Sequence, residues 1–231
     1  MGRIKVCAPS RIYEDHPQGR FSYTAMVDYF ARVGFSAIDM SFESLNRLDD
    51  SKNAVLYAAA KRAKERNIDM PLCHLSFYMP DPKNAELKAK YSLELKANLD
   101  AAALMGIPLA VIHPIAWYSS EVKYGDWVRA NMAFLSPLVE YAKAKGIKLC
   151  IENMPSDKEA PDNHLYGSCA LNISALAEKL GVGICWDTGH GNCEGLQYDE
   201  IMAMGSDLYA LHINDNTGTS DLHTIPFLGT V

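Results

Sequence analysis

Short apolar runs alternate with longer segments of helical periodicity along the 231-residue chain. Each run has about four to eight residues and is bounded by turn residues, which is the pattern of a strand buried on both faces. We therefore predict seven strands, at residues 4–9, 35–42, 70–77, 108–114, 147–153, 182–187 and 208–213. Apolar residues at helical spacing predict six helices, at residues 23–33, 54–66, 85–105, 127–145, 173–180 and 198–204.

Capping and turn residues mark where these helices begin and end. A glycine in the left-handed conformation commonly follows a helix. Four predicted helices are followed by such a candidate, namely Gly34, Gly106, Gly146 and Gly181. Asn172 is the predicted start of the helix at 173–180, and the segments 11–20 and 154–169 are predicted to be polar loops.

The repeated order of strand, loop and helix predicts an α/β fold. Seven such units fit a (β/α)₈ TIM barrel that lacks its eighth βα unit in this sequence. No linker divides the chain, so we predict a single domain over residues 1–231. Because a complete barrel has about 250 residues, we expect a further unit after Val231. A doubly wound open sheet is the alternative, but no glycine-rich phosphate turn follows the first strand.

Polar side chains stand at the same end of five predicted strands. They are His74, His113, Glu152 with Asn153, Asp187 and His212. The carboxyl ends of parallel strands meet at one mouth of a barrel, so we expect these side chains to converge there. His190 follows Asp187 by three residues and is expected beside it.

Three of these residues are candidate metal ligands. Glu152, Asp187 and His212 come from three successive predicted strands. Two carboxylates and one imidazole form a mostly oxygen ligand set, which suits Mn²⁺, Mg²⁺ or Co²⁺ and tolerates Zn²⁺. The alternative is that both acids pair with lysines or cap loops, but neither has a basic neighbour in the sequence.

Further candidates surround this set. His190 is predicted to contact a substrate or a second metal. His74 and His113 are candidates for the other half of the mouth, with an ordinary hydrogen-bonded histidine as the alternative for each. Asp221 and His223 lie two residues apart, so both face the same way if their loop is extended.

Three residues in predicted loops complete the candidates. Trp117 is either a hydrophobic wall for a substrate or an anchor for its loop. His16 and His164 lie in polar loops and are assigned no function.

Composition excludes several classes of protein. No apolar run reaches the roughly 18 residues of a membrane span, so we expect no membrane partner. The net charge is −6 and no long basic run occurs, which disfavours a nucleic-acid partner. Six cysteines occur without a CxxC pair, which is typical of the reducing cytoplasm.

The segments that carry the candidate residues resemble those of a known family. They are CIENMP, ICWDTGHGN, ALHINDN and DLHTIP, and they are similar to segments of the xylose isomerase-like TIM barrels. The sugar phosphate isomerases and epimerases are the nearest members, and the endonuclease IV group is related. The resemblance implies a small-molecule sugar or sugar phosphate as substrate and leaves a homo-oligomer open.

In the isomerases and epimerases a divalent metal is held by Glu, Asp, His and a second Glu. The first three match Glu152, Asp187 and His212. The resemblance implies that Glu152 transfers a proton through an enediolate intermediate and that His190 contacts the substrate. Asn153, Asp221 and the remaining histidines are assigned to substrate binding, and the second glutamate is expected after Val231.

Other functions fit the same scaffold. An abasic-site endonuclease of the endonuclease IV type is the main alternative, and all but one of the ligands of its zinc site have counterparts here. They are His74, His113, Glu152, Asp187, His190, His212, Asp221 and His223. The acidic net charge argues against this alternative. A sugar dehydratase and a sugar-binding barrel without turnover are the remaining alternatives.

Overall fold

The computed structural model describes residues 5–14, 22–42, 45, 47–77, 84–115, 122–155, 166–195 and 198–231. This part of the chain contains seven strands. They are β1 (Ala8–Pro9), β2 (Ala37–Ser41), β3 (Asp69–His74), β4 (Leu109–Ile112), β5 (Lys148–Glu152), β6 (Gly183–Asp187) and β7 (Leu208–His212). Their order in the sheet follows the chain from β1 to β7. A doubly wound sheet reverses its strand order at a switch point, so this order rules that alternative out.

Helices separate the strands. Within the described ranges they are α1 (Arg11–Glu14), α2 (Tyr23–Val33), α3 (Asp50–Glu65), α4 (Ala85–Met105), α5 (Tyr124–Ala144), α6 (Ala170–Leu180), α7 (Thr188–Glu194) and α8 (Tyr198–Met204). None of the helices in these ranges has both the length and the apolar character needed to cross a bilayer.

Most predicted elements are confirmed. The bounds of α2, α4 and α8 agree with the prediction, and Gly34 and Gly181 end their helices in the left-handed conformation. Each strand is shorter than predicted. The last predicted residues of β2, β3, β4, β5 and β7 lie in the following loops, whereas β1 and β6 start later than predicted. α3 begins four residues before the predicted start at residue 54, because the side chain of Asp49 accepts a hydrogen bond from the backbone N–H of Lys52.

Two predictions about loops and caps are wrong, and one helix was not predicted. The start of the predicted loop 11–20 is the short helix α1, and residues 15–20 lie outside the described part. Cys169, rather than Asn172, is the N-cap of α6, which starts three residues earlier than predicted. The residues after Asp187 form α7, because the Asp187 side chain caps that helix by accepting from the N–H of His190.

The chain divides into two compact units. The first comprises Met1–Phe77, Lys90–Ala110 and Tyr141–Ile147, and the second comprises Tyr78–Ala89, Val111–Glu140 and Lys148–Val231. β1, β2 and β3 pair in parallel in the first unit, and β5, β6 and β7 do so in the second. The prediction of a single domain and of a further unit after Val231 stays a prediction.

A buried asparagine fixes the segment after β3 in the first unit. The Oδ1 atom of Asn98, on α4, accepts the backbone N–H of Ser76 at 2.7 Å. Its Nδ2 atom donates to the carbonyl of Leu45 at 2.6 Å. Tyr91, two turns earlier on the same face of α4, donates its hydroxyl to the carbonyl of Ser76. The chain just beyond His74 is therefore held by side chains of α4.

The second unit uses the same device after β4. The Oδ1 atom of Asn131, on α5, accepts the backbone N–H of Ile115 at 2.7 Å. Trp127, on the same helix, donates its indole N–H to the carbonyl of Ile115 at 2.8 Å. The segment after His113 is thus held in the same way. A buried amide that satisfies backbone groups in this manner is costly to lose.

Trp186 packs against the backbone of α7. A Cβ atom added at Gly191 would lie 2.8 Å from Cζ2 of Trp186, closer than side chains approach one another. Because Trp186 is buried, its indole cannot move away without disturbing the core. Gly191 is therefore required by packing, although glycine weakens a helix.

We expect Gly191→Ala to lower the free energy of unfolding by about 1–3 kcal/mol, as overpacking in a core does. Urea denaturation of the purified protein measures this. Gly125→Ala in α5 is the matched control, since its new Cβ would meet only the flexible Arg129 side chain at 3.4 Å. Equal stability of both variants would contradict the packing argument.

Candidate active site

The ends of β5 and β6 are joined by a reciprocal pair of hydrogen bonds. Asn153 donates its Nδ2 to the carbonyl of Asp187 at 3.0 Å, and its Oδ1 accepts the N–H of Asp187 at 2.7 Å. The Asn153 side chain is fully buried. It therefore continues the hydrogen bonding between β5 and β6 beyond their last backbone pair. In this way it fixes the position of Asp187 relative to Glu152. Whether Asn153 also contacts a substrate stays a prediction.

Glu152, the last residue of β5, is buried between two imidazoles. His212 donates from Nδ1 to Glu152 Oε1 at 2.6 Å, and His113 donates from Nε2 to Oε2 at 3.1 Å. Only 1% of the Glu152 surface is exposed. The carboxylate is thus held by one ring from β7 and one from the end of β4.

Asp187 is the second buried carboxylate, with 2% of its surface exposed. Its Oδ1 accepts the backbone N–H of His190 at 2.8 Å, and its Oδ2 accepts Nδ2 of Asn214 at 2.7 Å. Burial raises the pKa of the Asp187 carboxyl, and the charge of His190 only partly offsets this. Keeping Asp187 ionised here is costly, and a bound cation would remove that cost.

His190 is oriented by both of its ring nitrogens. Nδ1 donates to the carbonyl of Asn153 at 2.7 Å, and Nε2 lies 3.2 Å from Oδ2 of Asp221. Burial lowers the pKa of His190, but the hydrogen bond to Asp221 and the charges of Asp187 and Glu152 outweigh burial and raise it to about 9. The ring therefore carries a positive charge at neutral pH when no cation is bound.

Asp221 joins His190 to His223. The Nε2 atom of His223 lies 2.9 Å from the same Oδ2 atom of Asp221. Burial raises the pKa of Asp221, but the hydrogen bonds from the two histidines outweigh it and hold the pKa well below its ordinary value. Asp221 and His223 do contact each other, but the φ angle of His223 is 48°, so the extended conformation on which the prediction depended is wrong at this residue.

Two groups in the second unit have the spacing of metal ligands. One is Glu152, Asp187 and His190, and the other is His190, Asp221 and His223; within each group the ligand atoms all lie within 4.8 Å of one another. In the sheet, Asp187 is paired with His212. These donors fit a divalent cation, since two buried carboxylates lie beside imidazoles that can bind a metal in their neutral form.

The remaining candidates are placed as follows. His74 ends β3 in the first unit and donates from Nδ1 to the carbonyl of Leu75 at 2.6 Å, so its role at the site stays a prediction. Trp117, His16 and His164 lie outside the described residues. The ligand roles of Glu152, Asp187 and His212 also stay predictions.

Sequence reasoning missed the asparagines and the acid that follow β7. The Asp215 carboxylate accepts four backbone N–H groups at 2.8–3.0 Å, from Asn216, Phe227, Gly229 and Val231. These bonds lower the pKa of Asp215. They fold residues 216–231 back onto Asp215 and so position the loop that carries Asp221 and His223. The dense polar run directly after a strand was the available signal.

A family model described as the xylose isomerase-like TIM barrel matches residues 27–230. The chain belongs to the xylose isomerase-like TIM barrel family. This confirms the predicted resemblance and the TIM barrel fold.

Related proteins agree with this assignment. An uncharacterized protein of Methanocaldococcus jannaschii is 25% identical over 213 residues, which are 87% of this chain and 69% of that protein. A D-tagatose 3-epimerase-like protein superposes with a TM-score of 0.79 at 20% identity, over 99% of this chain and 82% of that chain. A 3-keto-D-glucoside 4-epimerase from E. coli superposes with a TM-score of 0.74 at 13% identity, over 99% and 84%. At these identities the structural likeness shows the fold.

We expect Asp215→Ala to speed hydrogen exchange at the amides of Phe227, Gly229 and Val231, because all three donate to its carboxylate. NMR-detected exchange at neutral pH measures this. In the wild type the pKa of Asp215 lies below its ordinary value of 3.8, so the carboxylate is ionised at neutral pH. Protection of these amides from exchange is therefore lost only when the pH falls through this lowered pKa.

Asp199→Asn is the control for this measurement, because Asp199 is exposed on α8. Unchanged exchange in Asp215→Ala would mean that the segment is held by other contacts.

Proposed function

We propose that the protein is a divalent-metal-dependent isomerase or epimerase of a small sugar or sugar phosphate. The observation that carries the proposal is the buried Glu152 carboxylate, held by His113 and His212 beside the buried Asp187. Membership of the family and fold neighbours that are themselves sugar epimerases support it. We further propose a cytoplasmic location, for which the six free thiols are the support.

Glu152, Asp187 and His212 are the residues that would hold the metal, with His190 as a further candidate. When bound, a divalent cation such as Mn²⁺, Mg²⁺ or Co²⁺ polarises a carbonyl and makes the adjacent C–H more acidic. Asp187 is fixed through both of its oxygens, so it can keep a constant ligand position during turnover.

Glu152 is the proposed base. Its carboxylate takes the proton from the carbon next to the carbonyl, and the N–H groups of His113 and His212 keep it aligned. His190 is the proposed substrate contact, a role that the family resemblance implies. Its Nδ1 is fixed on Asn153, so Nε2, which now lies 3.2 Å from Asp221, is the atom that would turn to a substrate. A second acid must return the proton to the carbon on its other face to complete an epimerisation.

We expect Glu152→Gln to lower turnover of the best ketose substrate by about 10²-fold or more, because the amide cannot accept the proton. A panel of free and phosphorylated ketoses with added Mn²⁺, followed by chromatography of the products, identifies that substrate and measures turnover. Glu178→Gln is the matched control, because Glu178 is exposed on α6.

Wild-type turnover by Glu152→Gln would remove Glu152 from the mechanism. Loss of water from the sugar would indicate a dehydratase, and sugar binding without conversion would indicate a binding protein. Gel filtration of the same preparation determines whether the protein is a homo-oligomer.

A second candidate is an abasic-site endonuclease. It is favoured by the group of His190, Asp221 and His223, which gives the second unit two ligand groups that share His190. Several adjacent metal ions are a feature of phosphodiester cleavage. The net charge of −6 opposes this candidate, since phosphate contacts dominate the affinity for DNA.

We expect abasic duplex DNA to bind weakly at physiological salt and to remain uncleaved with Zn²⁺. Fluorescence anisotropy over a salt series and a gel-based cleavage assay measure this. Tight, steeply salt-dependent binding with cleavage would favour the endonuclease.

A further inference from the structure

Asn214 lies two residues after β7 and is tied to the start of α7 through its backbone. Thr188 donates its hydroxyl to the carbonyl of Asn214 at 2.7 Å. The backbone N–H of Asn214 donates in turn to the hydroxyl oxygen of Thr188 at 3.2 Å. These bonds hold the loop after β7 whatever side chain residue 214 carries. The position of the loop therefore does not explain why an asparagine is present.

The Asn214 side chain makes one hydrogen bond and leaves one polar atom unmet. Nδ2 donates to Oδ2 of Asp187 at 2.7 Å, whereas the buried Oδ1 has no hydrogen-bond partner among the described residues. The reverse orientation of the amide would place its oxygen against the carboxylate, which electrostatics forbids. A buried amide oxygen without a hydrogen-bond partner costs free energy. We therefore attribute the presence of Asn214 to the hydrogen bond between its Nδ2 and Asp187.

Gly189 makes room for this amide. A Cβ atom at Gly189 would lie only 1.8 Å from Oδ1 of Asn214, so no larger residue fits at this position without moving the amide. Gly189 lies inside α7, where glycine is unfavourable. Two elements far apart in sequence are thus fitted to a single contact with Asp187.

The consequence is a carboxylate held from two sides. α7 supplies the N–H of His190 to Oδ1 of Asp187, and the loop after β7 supplies the amide of Asn214 to Oδ2. The Asp187 carboxylate cannot rotate without losing at least one of these two hydrogen bonds. Hydrogen-bonded outer partners of this kind set the orientation and strength of a metal-binding carboxylate.

We infer that Asn214, accommodated by Gly189, is a positioning residue that orients Asp187 for metal binding. The inference rests on the proposed function only in placing a divalent metal at Asp187, and it does not depend on which sugar is converted.

The test compares metal binding by the wild type and by variants of the whole chain. Asn214→Leu keeps the branched shape of the side chain, with larger terminal groups, and removes the donor. Asn214→Ala removes the donor without adding bulk and is the second variant. We expect the affinity for Mn²⁺, measured by calorimetry, to fall about 10–100-fold in either variant. The visible absorption spectrum of the Co²⁺ form should shift, because the ligand geometry at Asp187 changes.

Gly189→Ala should weaken Mn²⁺ binding in the same direction, because its Cβ displaces Asn214 from the other side. Gly125→Ala on α5 is the control, since its Cβ would meet only the flexible Arg129 side chain at 3.4 Å. The control should leave the Mn²⁺ affinity and the Co²⁺ spectrum unchanged.

The outcomes separate this inference from the proposed function. Wild-type Mn²⁺ affinity in Asn214→Leu would overturn the inference alone, and so would an equal loss of affinity in Gly125→Ala. If the wild type binds Mn²⁺, Asn214→Leu weakens it and no ketose is converted, the inference stands and the proposed function fails. A wild type that binds no divalent cation would overturn both.

Discussion

The reciprocal bonds between Asn153 and Asp187 are the constraint on which the rest of the candidate site depends. Parallel strands cannot continue their backbone ladder past their last residues, so the carboxyl ends of β5 and β6 need another partner. The Asn153 amide supplies it, with one donor and one acceptor aimed at the same residue. The backbone carbonyl of Asn153 also accepts a hydrogen bond from the ring N–H of His190. One buried residue thereby sets the relative positions of a glutamate, an aspartate and a histidine.

Surplus negative charge is the second organising factor. Glu152 and Asp187 are both buried, and like charges in a poorly solvated region repel strongly. Histidines surround them, and the raised pKa of His190 shows that the region favours positive charge. The same surplus explains why the site is suited to a divalent cation.

The sequence was sufficient to predict the strands and the polar residues at or next to their carboxyl ends, because burial on both faces makes each strand a dense apolar run. Asp187, Glu152 and His212 follow such runs directly. α7 could not be predicted, because Gly189 and Gly191 oppose a helix and the cap that starts it is the candidate ligand itself. Asn214 and Asp215 were missed because their importance lies in contacts with residues 12 or more positions away.

The composition of α7 has a consequence for how the site forms. A seven-residue helix with two internal glycines has almost no stability of its own, so it must be held by β6 and the loop after β7. The bond between Asn214 and Asp187 spans 27 residues, so that loop must close before α7 is secured. Assembly of the site is therefore expected late in folding, after the strands have paired. A folding intermediate with ordered strands would at that stage still lack a formed site. The fold and the ability of the site to function are therefore acquired in separate steps.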